Sequence, residues 1–215
     1  MVRIEAGRKV EVLLLKDASK KFQILDDEIV HASFFKLRRL RVKHTLFAGG
    51  WSPVLDRELF QRSHCVAVLP YDPIADSVVL VEQFRIGAIP DKETPWLLEI
   101  VAGCIEQGEN PEQVAVRESM EEAGCELTAL IKVHEFYTSP GGSAEKLNLF
   151  CGRIDSTKVG TICGLESENE DIRVHVVKFD TAMAKVQNGE IDSAIPIVAL
   201  QWLALNRERI RQDWA

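Results

Sequence analysis

Residues 103–125, GCIEQGENPEQVAVRESMEEAGC, constrain the fold more tightly than any other stretch, because they punctuate one helix at both ends and load it with acids. Asn110 is a candidate N-cap with Gln113 three residues on, Pro111 stands where a first helical position accepts proline, and Gly124 can close the helix in a left-handed cap. This punctuation predicts a helix over 111–123. At about 100° per residue, Val116, Met120 and Ala123 share one stripe, expected to pack, while Glu118, Glu121 and Glu122 occupy the opposite side.

Two readings of the acids are open. They are a solvated face, or they hold cations. Like charges cost a few tenths of a kcal/mol per pair on an exposed helix, but roughly 3 kcal/mol per pair at ~6 Å and an effective dielectric of about 20. A sheltered cluster therefore needs counter-charge. Hard divalent ions such as magnesium take oxygen ligands and keep some waters, so carboxylates can hold them beside the phosphates of a substrate.

The stretch fits G-x5-E-x7-R-E-U-x-E-E-x-G-U, with U a bulky apolar residue, through Gly103, Glu109, Arg117, Glu118, Glu121, Glu122 and Gly124. It resembles a Nudix box. Ser119 and Cys125 depart from the pattern at its two apolar positions, which concern packing and not chemistry.

The rest of the chain is compatible with a metal-dependent enzyme. Its 215 residues, 46% hydrophobic, suffice for one full domain plus an accessory unit. No run approaches the roughly 18 apolar residues of a membrane span, and the first residues are too charged for a signal peptide, so the expected address is cytoplasmic. A net charge of −7 disfavours nucleic acid and anionic membranes as partners. Five cysteines without CxxC spacing argue against a disulfide framework or a zinc site and are read as reduced packing residues. The five histidines are scattered, and none is assigned a role.

VEVLLLKDA, KFQILDDEIV and LRRLRVKHTLF read as short strands, making residues 1–60 a small β-rich domain that ends in a crossing segment, AGGWSPVLDRELF. From residue 61 to 215 the strands lengthen: HCVAVLPYD, SVVLVEQFRIG, WLLEIVAG, IKVHEFYT, KLNLFCGRI and IRVHVVKFD. Helices are expected near 181–188 and from Pro196, the latter with Ile197, Leu200, Leu203 and Ala204 on one side. Mixed strands with helices on both faces make an α/β sandwich.

Three stretches outside the box carry candidate chemistry. GLESENEDIRVHVV, 164–177, is either a solvated loop or, if extended, a segment that turns Glu166, Glu168 and Glu170 the same way. Arg85 at a strand end is a salt-bridge partner or a diphosphate or sugar contact, and Arg57 is a surface charge or an arginine offered to a phosphate or a neighbouring active site. YTSPGGSAEKL, 137–147, is a tight turn.

Pro140, fifteen residues after Cys125, together with VEQFR, ETPWLLE and ENEDIRVHVV, resembles the bacterial ADP-ribose pyrophosphatase branch of the Nudix family. That resemblance implies an α/β/α sandwich with a mixed sheet and hydrolysis of the diphosphate of ADP-ribose to AMP and ribose 5-phosphate. It implies two or three Mg²⁺ per site, with Mn²⁺ as a substitute, held by the Ala102 carbonyl, Glu118, Glu121, Glu122 and Glu170. It also implies Glu168 as catalytic base, Arg57, Arg85, Ser139 and Glu145 near the substrate, and a homodimer that exchanges its N-terminal domain. The alternatives are another nucleoside diphosphate sugar hydrolase, such as one acting on GDP-mannose, and a ligand-sensing module without turnover.

Overall fold

The computed structural model describes residues 20–91 and 93–214. The described residues fall into two compact units divided between Phe60 and Gln61. The predicted strand VEVLLLKDA lies outside the described residues.

The first unit is a three-stranded sheet in the order β1 (Phe22–Ala32), β2 (Lys36–His44), β3 (Leu55–Gln61). β1 and β2 are antiparallel, stitched by Arg38–Asp27 and Arg39–Glu28 ion pairs. The second half of the expected crossing segment is itself a strand, β3. Gly49 and Gly50 have φ of 90° and 79°, and they turn the chain between the bridged residues Thr45 and Trp51.

The second unit carries an eight-stranded mixed sheet. Its centre is β4 (Cys65–Asp72) and β5 (Ser77–Phe84), and β4 runs parallel to β9 (Lys146–Arg153). Around these lie β6 (Trp96–Glu99), β7 (Val101–Cys104), β8 (Ala129–Tyr137), β10 (Ile162–Cys163) and β11 (Ile172–Lys178). The stretch read as one strand, WLLEIVAG, is two: β6 pairs with β5, and after Ile100 β7 pairs with β4. That switch places Ala102 and Gly103 beside the centre of the sheet.

Helices cover both faces, α1 (Pro111–Ala123) on one and α2 (Phe179–Gln187) with α3 (Ala194–Trp214) on the other. Side-chain alternation explains the continuous apolar runs. Val66, Val68, Val79 and Val81 meet α1, whereas Ala67, Leu69, Val78 and Leu80 meet α2 and α3. α3 begins two residues before Pro196, and its packing side is Ala199, Leu200, Leu203 and Ile210; Ala204 faces outward. Among the described residues no helix is long and apolar enough to cross a membrane.

Candidate active site

α1 has the predicted bounds. The Asn110 side chain accepts the Glu112 N–H at 2.8 Å, and Gly124, at φ 60°, turns its own N–H and that of Cys125 back to the Met120 and Ser119 carbonyls. The packing stripe is corrected. Val116 and Met120 are about half exposed, and the buried face is Val114, Ala115, Ser119, Glu122 and Ala123. The helix lies on the sheet by its small side chains, and its one misfit to the apolar pattern is satisfied because Ser119 Oγ donates to the Ala115 carbonyl at 2.8 Å.

This orientation carries Glu122 inward. It is 2% exposed and accepts the Ala102 N–H at 2.8 Å. Glu118 lies against Gly103, where an added Cβ would stand 1.9 Å from Glu118 Oε1. Gly103 therefore leaves the space in which the Glu118 carboxylate lies, its φ being ordinary. Burial raises the Glu118 carboxyl to about 7 and the Glu122 carboxyl to about 8; repulsion from Glu170 acts on both, Arg117 opposes the first shift, and the Ala102 hydrogen bond and Arg85 oppose the second.

Glu170 reaches this face because its loop is stapled to the end of α1. Gly160 N–H donates to the Ala123 carbonyl at 2.9 Å and Gly164 N–H to the Glu121 carbonyl at 3.0 Å. Glu170 Oε2 then accepts the Leu165 N–H at 3.2 Å. The loop is not extended, as the alternating reading of 166, 168 and 170 required. Glu166–Glu168 is a single 3₁₀ turn closed by Asn169 at φ 54°, so Glu168 is exposed while Glu170 is half-buried.

Arg117, which the sequence reading used only as a pattern position, organises the helix. Its guanidinium lies 3.0 Å from Glu118, 2.8 Å from Glu121 and 3.6 Å from Glu109. Arg85 follows the last residue of β5, near enough to Glu122 to act on its charge, and is held by Glu99 at 2.6 Å, a partner that the sequence offered no signal for because it arrives on β6.

The structure thus brings together Ala102, Glu118, Glu121, Glu122, Glu170 and Arg85. The other candidates lie elsewhere. Arg57 is an exposed residue of β3 in the first unit, its Nη1 donating to the Asp56 carbonyl. Ser139 is exposed in the 138–143 turn. Glu145 is engaged by Arg62 at 3.1 Å, Thr138 Oγ1 at 2.7 Å and Cys65 Sγ at 3.3 Å. Cys104 is exposed, correcting its reading as a packing residue. A cleft of about 550 Å³ flanks the approach to α1, lined in part by His64, Glu106, Glu109, Lys132 and Asn148.

Among the described residues no three His, Cys, Asp or Glu side chains are already arranged as a metal site. Glu118 is turned to Arg117 and Glu122 to the Ala102 amide. The donor set is nevertheless what a hard divalent cation takes: carboxylate oxygens, two of them desolvated, whose mutual repulsion a cation would relieve.

A sheet with an acid-bearing helix seated on a glycine of the adjoining strand is the frame of a Nudix domain, and residues 62–208 match the NUDIX domain; the chain belongs to that family. It is 46% identical to the ADP-ribose pyrophosphatase of Haemophilus influenzae over 92% of both chains, and 46% identical to that of Escherichia coli over 90% of this chain and 92% of the relative. A GDP-mannose pyrophosphatase of Cronobacter sakazakii is 34% identical over 87% of this chain and 97% of the relative. The fold is also that of a crystal structure titled an ADP compounds hydrolase, with a TM-score of 0.67, 21% identity, and coverage of 90% of this chain and 96% of the other.

Proposed function

We propose that the protein is a magnesium-dependent ADP-ribose pyrophosphatase, cleaving ADP-ribose to AMP and ribose 5-phosphate. The observation that carries this reading is near full-length identity of 46% to ADP-ribose pyrophosphatases, against 34% to a GDP-mannose pyrophosphatase. The site agrees with it, since the metals and acids address only a diphosphate and the choice of nucleoside must lie in the rest of the chain.

In this reading Glu118, Glu122 and Glu170, with the Ala102 carbonyl and Glu121 beside them, hold two or three Mg²⁺, or Mn²⁺ in its place. Bound there, the ions offset charge developing on the diphosphate and lower the pKa of a water. Arg117 keeps Glu118 and Glu121 on one side of the helix. Arg85, oriented by Glu99, donates to a phosphate oxygen, and Ser139 and Glu145 lie near the substrate. Glu168 takes the proton of the attacking water, and its exposed place on a 3₁₀ turn leaves it free to rotate toward the acids.

We further propose a cytoplasmic homodimer with exchanged N-terminal units and Arg57 offered to the partner's site. β1 supports the dimer, because Phe22, Ile24, Leu25, Ile29 and Val30 on that strand are all more than 40% exposed in the single chain. Light scattering that reports a monomer, with activity unchanged on dilution, would contradict it.

The substrate is tested by comparing kcat/KM for ADP-ribose, GDP-mannose, NADH, diadenosine polyphosphates and nucleoside triphosphates, with products identified by chromatography. ADP-ribose is expected to lead by at least about tenfold, roughly 1.4 kcal/mol of differential transition-state binding. Higher efficiency with GDP-mannose would transfer the reading to the 34% relatives. Tight binding without turnover would make the chain a sensor.

A further inference from the structure

Cys65 and Cys104 stand directly opposite one another on the antiparallel strands β4 and β7. Their sulfurs are 3.6 Å apart. In this register the Ile105 N–H bonds to the His64 carbonyl at 2.8 Å, so His64 and Ile105 form a hydrogen-bonded pair and the next pair inward, Cys65 with Cys104, is a non-hydrogen-bonded one. Pairs of that kind hold their Cα atoms about 4.5 Å apart, within the span of a disulfide. Cys104 is exposed, and Cys65 beside it is 5% exposed. One residue of the pair is open to solvent and its neighbour across the strands is not.

The geometry points to Cys65 and Cys104 as an oxidative modification site, a thiol pair that a hydroperoxide converts to a cross-strand disulfide. The Cys104 sulfur attacks the peroxide, breaking the O–O bond, releasing an alcohol or water and leaving a sulfenic acid. The Cys65 sulfur then attacks Cys104 Sγ, forming the S–S bond, and its proton leaves with the sulfenic hydroxyl as water. Two thiols lose two electrons, and the peroxide gains them. Closure takes the sulfurs from 3.6 Å to about 2.05 Å. The contraction falls on the residue next to Gly103, the floor on which Glu118 rests. The oxidised chain is therefore expected to turn over more slowly, a consequence that rests on the proposed hydrolysis; the bond itself does not.

The test treats the full-length protein with hydrogen peroxide, alkylates the remaining thiols and maps the digest by mass spectrometry. The expected product joins the peptides bearing Cys65 and Cys104, two hydrogens lighter, is restored by dithiothreitol and is absent from Cys104→Ser. ADP-ribose turnover should fall by up to about 10² on oxidation, as a misplacement of order 1 Å implies, and recover on reduction. Recovery of Cys104 only as sulfinic acid, or of both thiols alkylated, would overturn the site. A disulfide that leaves turnover unchanged would overturn its link to Glu118. Should the reduced protein lack turnover altogether, the hydrolase reading fails, and the mass shift still judges the thiol pair.

Discussion

Two groups of acids in this chain are close in composition and opposite in circumstance. Glu118 and Glu122 are pressed between α1 and β7, the second of them 2% exposed, whereas Glu166 and Glu168 ride an exposed turn one loop away. Burial makes charge costly for the first group, which must find a proton, an arginine or a cation. Solvent relieves the second group of that need. The same residue type is thus placed to hold a cation in one place and is proposed as a proton acceptor in the other, and the decisive variable is what lies on either side of it.

Two substitutions that remove charge without shape should separate these circumstances. Glu122→Gln keeps an acceptor for the Ala102 amide, so circular dichroism should show an intact fold, while loss of a cation ligand should lower kcat by at least about 10³, the several kcal/mol of charge stabilisation that a metal supplies. Full activity of the wild type in excess chelator would sink the metal reading altogether. Glu168→Gln should leave Mg²⁺ and substrate affinity near wild type and lower kcat by about 10² to 10⁴, the worth of a positioned base. Near wild-type turnover would move the base to Glu166, Glu170 or a metal-bound hydroxide.

A third substitution probes the floor under the buried group and not its charge. Gly103→Ala places a methyl where Glu118 Cδ and Oε1 lie, 2.1 and 1.9 Å from the new carbon, so the carboxylate must swing away. The expected loss is about 10² in kcat/KM, the usual effect of a misplacement near 1 Å, with Mg²⁺ affinity reduced in parallel. Unchanged Mg²⁺ affinity would separate Glu118 from the cations.

What was legible in the residues follows the same division between local and distant causes. The bounds of α1 were readable because Asn110, Pro111 and Gly124 each act on their own backbone. Which side of α1 meets the sheet was not, because Val116 and Met120 are the bulkier apolar choice, yet the helix docks by Ala115, Ser119 and Ala123. The residues left 164–171 open between a solvated loop and an extended segment, because its shape is set by bonds to the far end of α1 and by the left-handed Asn169. The sandwich itself was visible in the apolar runs of β4 and β5, which only a sheet covered on both faces explains. Arg85 was placed correctly at a strand end, but its Glu99 partner depended on the break at Ile100 that no local signal marks.

The smallest expected effect is on stability, and its sign follows from the buried pair. In the unfolded chain both carboxyls lose their protons near the ordinary 4.5, whereas in the metal-free fold Glu118 and Glu122 hold theirs to about 7 and about 8. Between those limits the fold binds more protons than the unfolded chain, so this contribution is complete below about 4.5 and is lost as pH rises through 7 to 8. A divalent cation takes the deprotonated form, so its stabilisation should grow over the same window. Scanning calorimetry in chelator should therefore show Tm falling from pH 6 to pH 8, and Mg²⁺ should restore several degrees at pH 8, the size of about 2 kcal/mol in a domain this large, and less at pH 6. Glu122→Gln should flatten the slope in chelator and shrink the Mg²⁺ increment, while Glu168→Gln, in water already, should change neither. An equal Mg²⁺ increment at both pH values, or one that survives Glu122→Gln, would mean that the ion binds away from the buried acids.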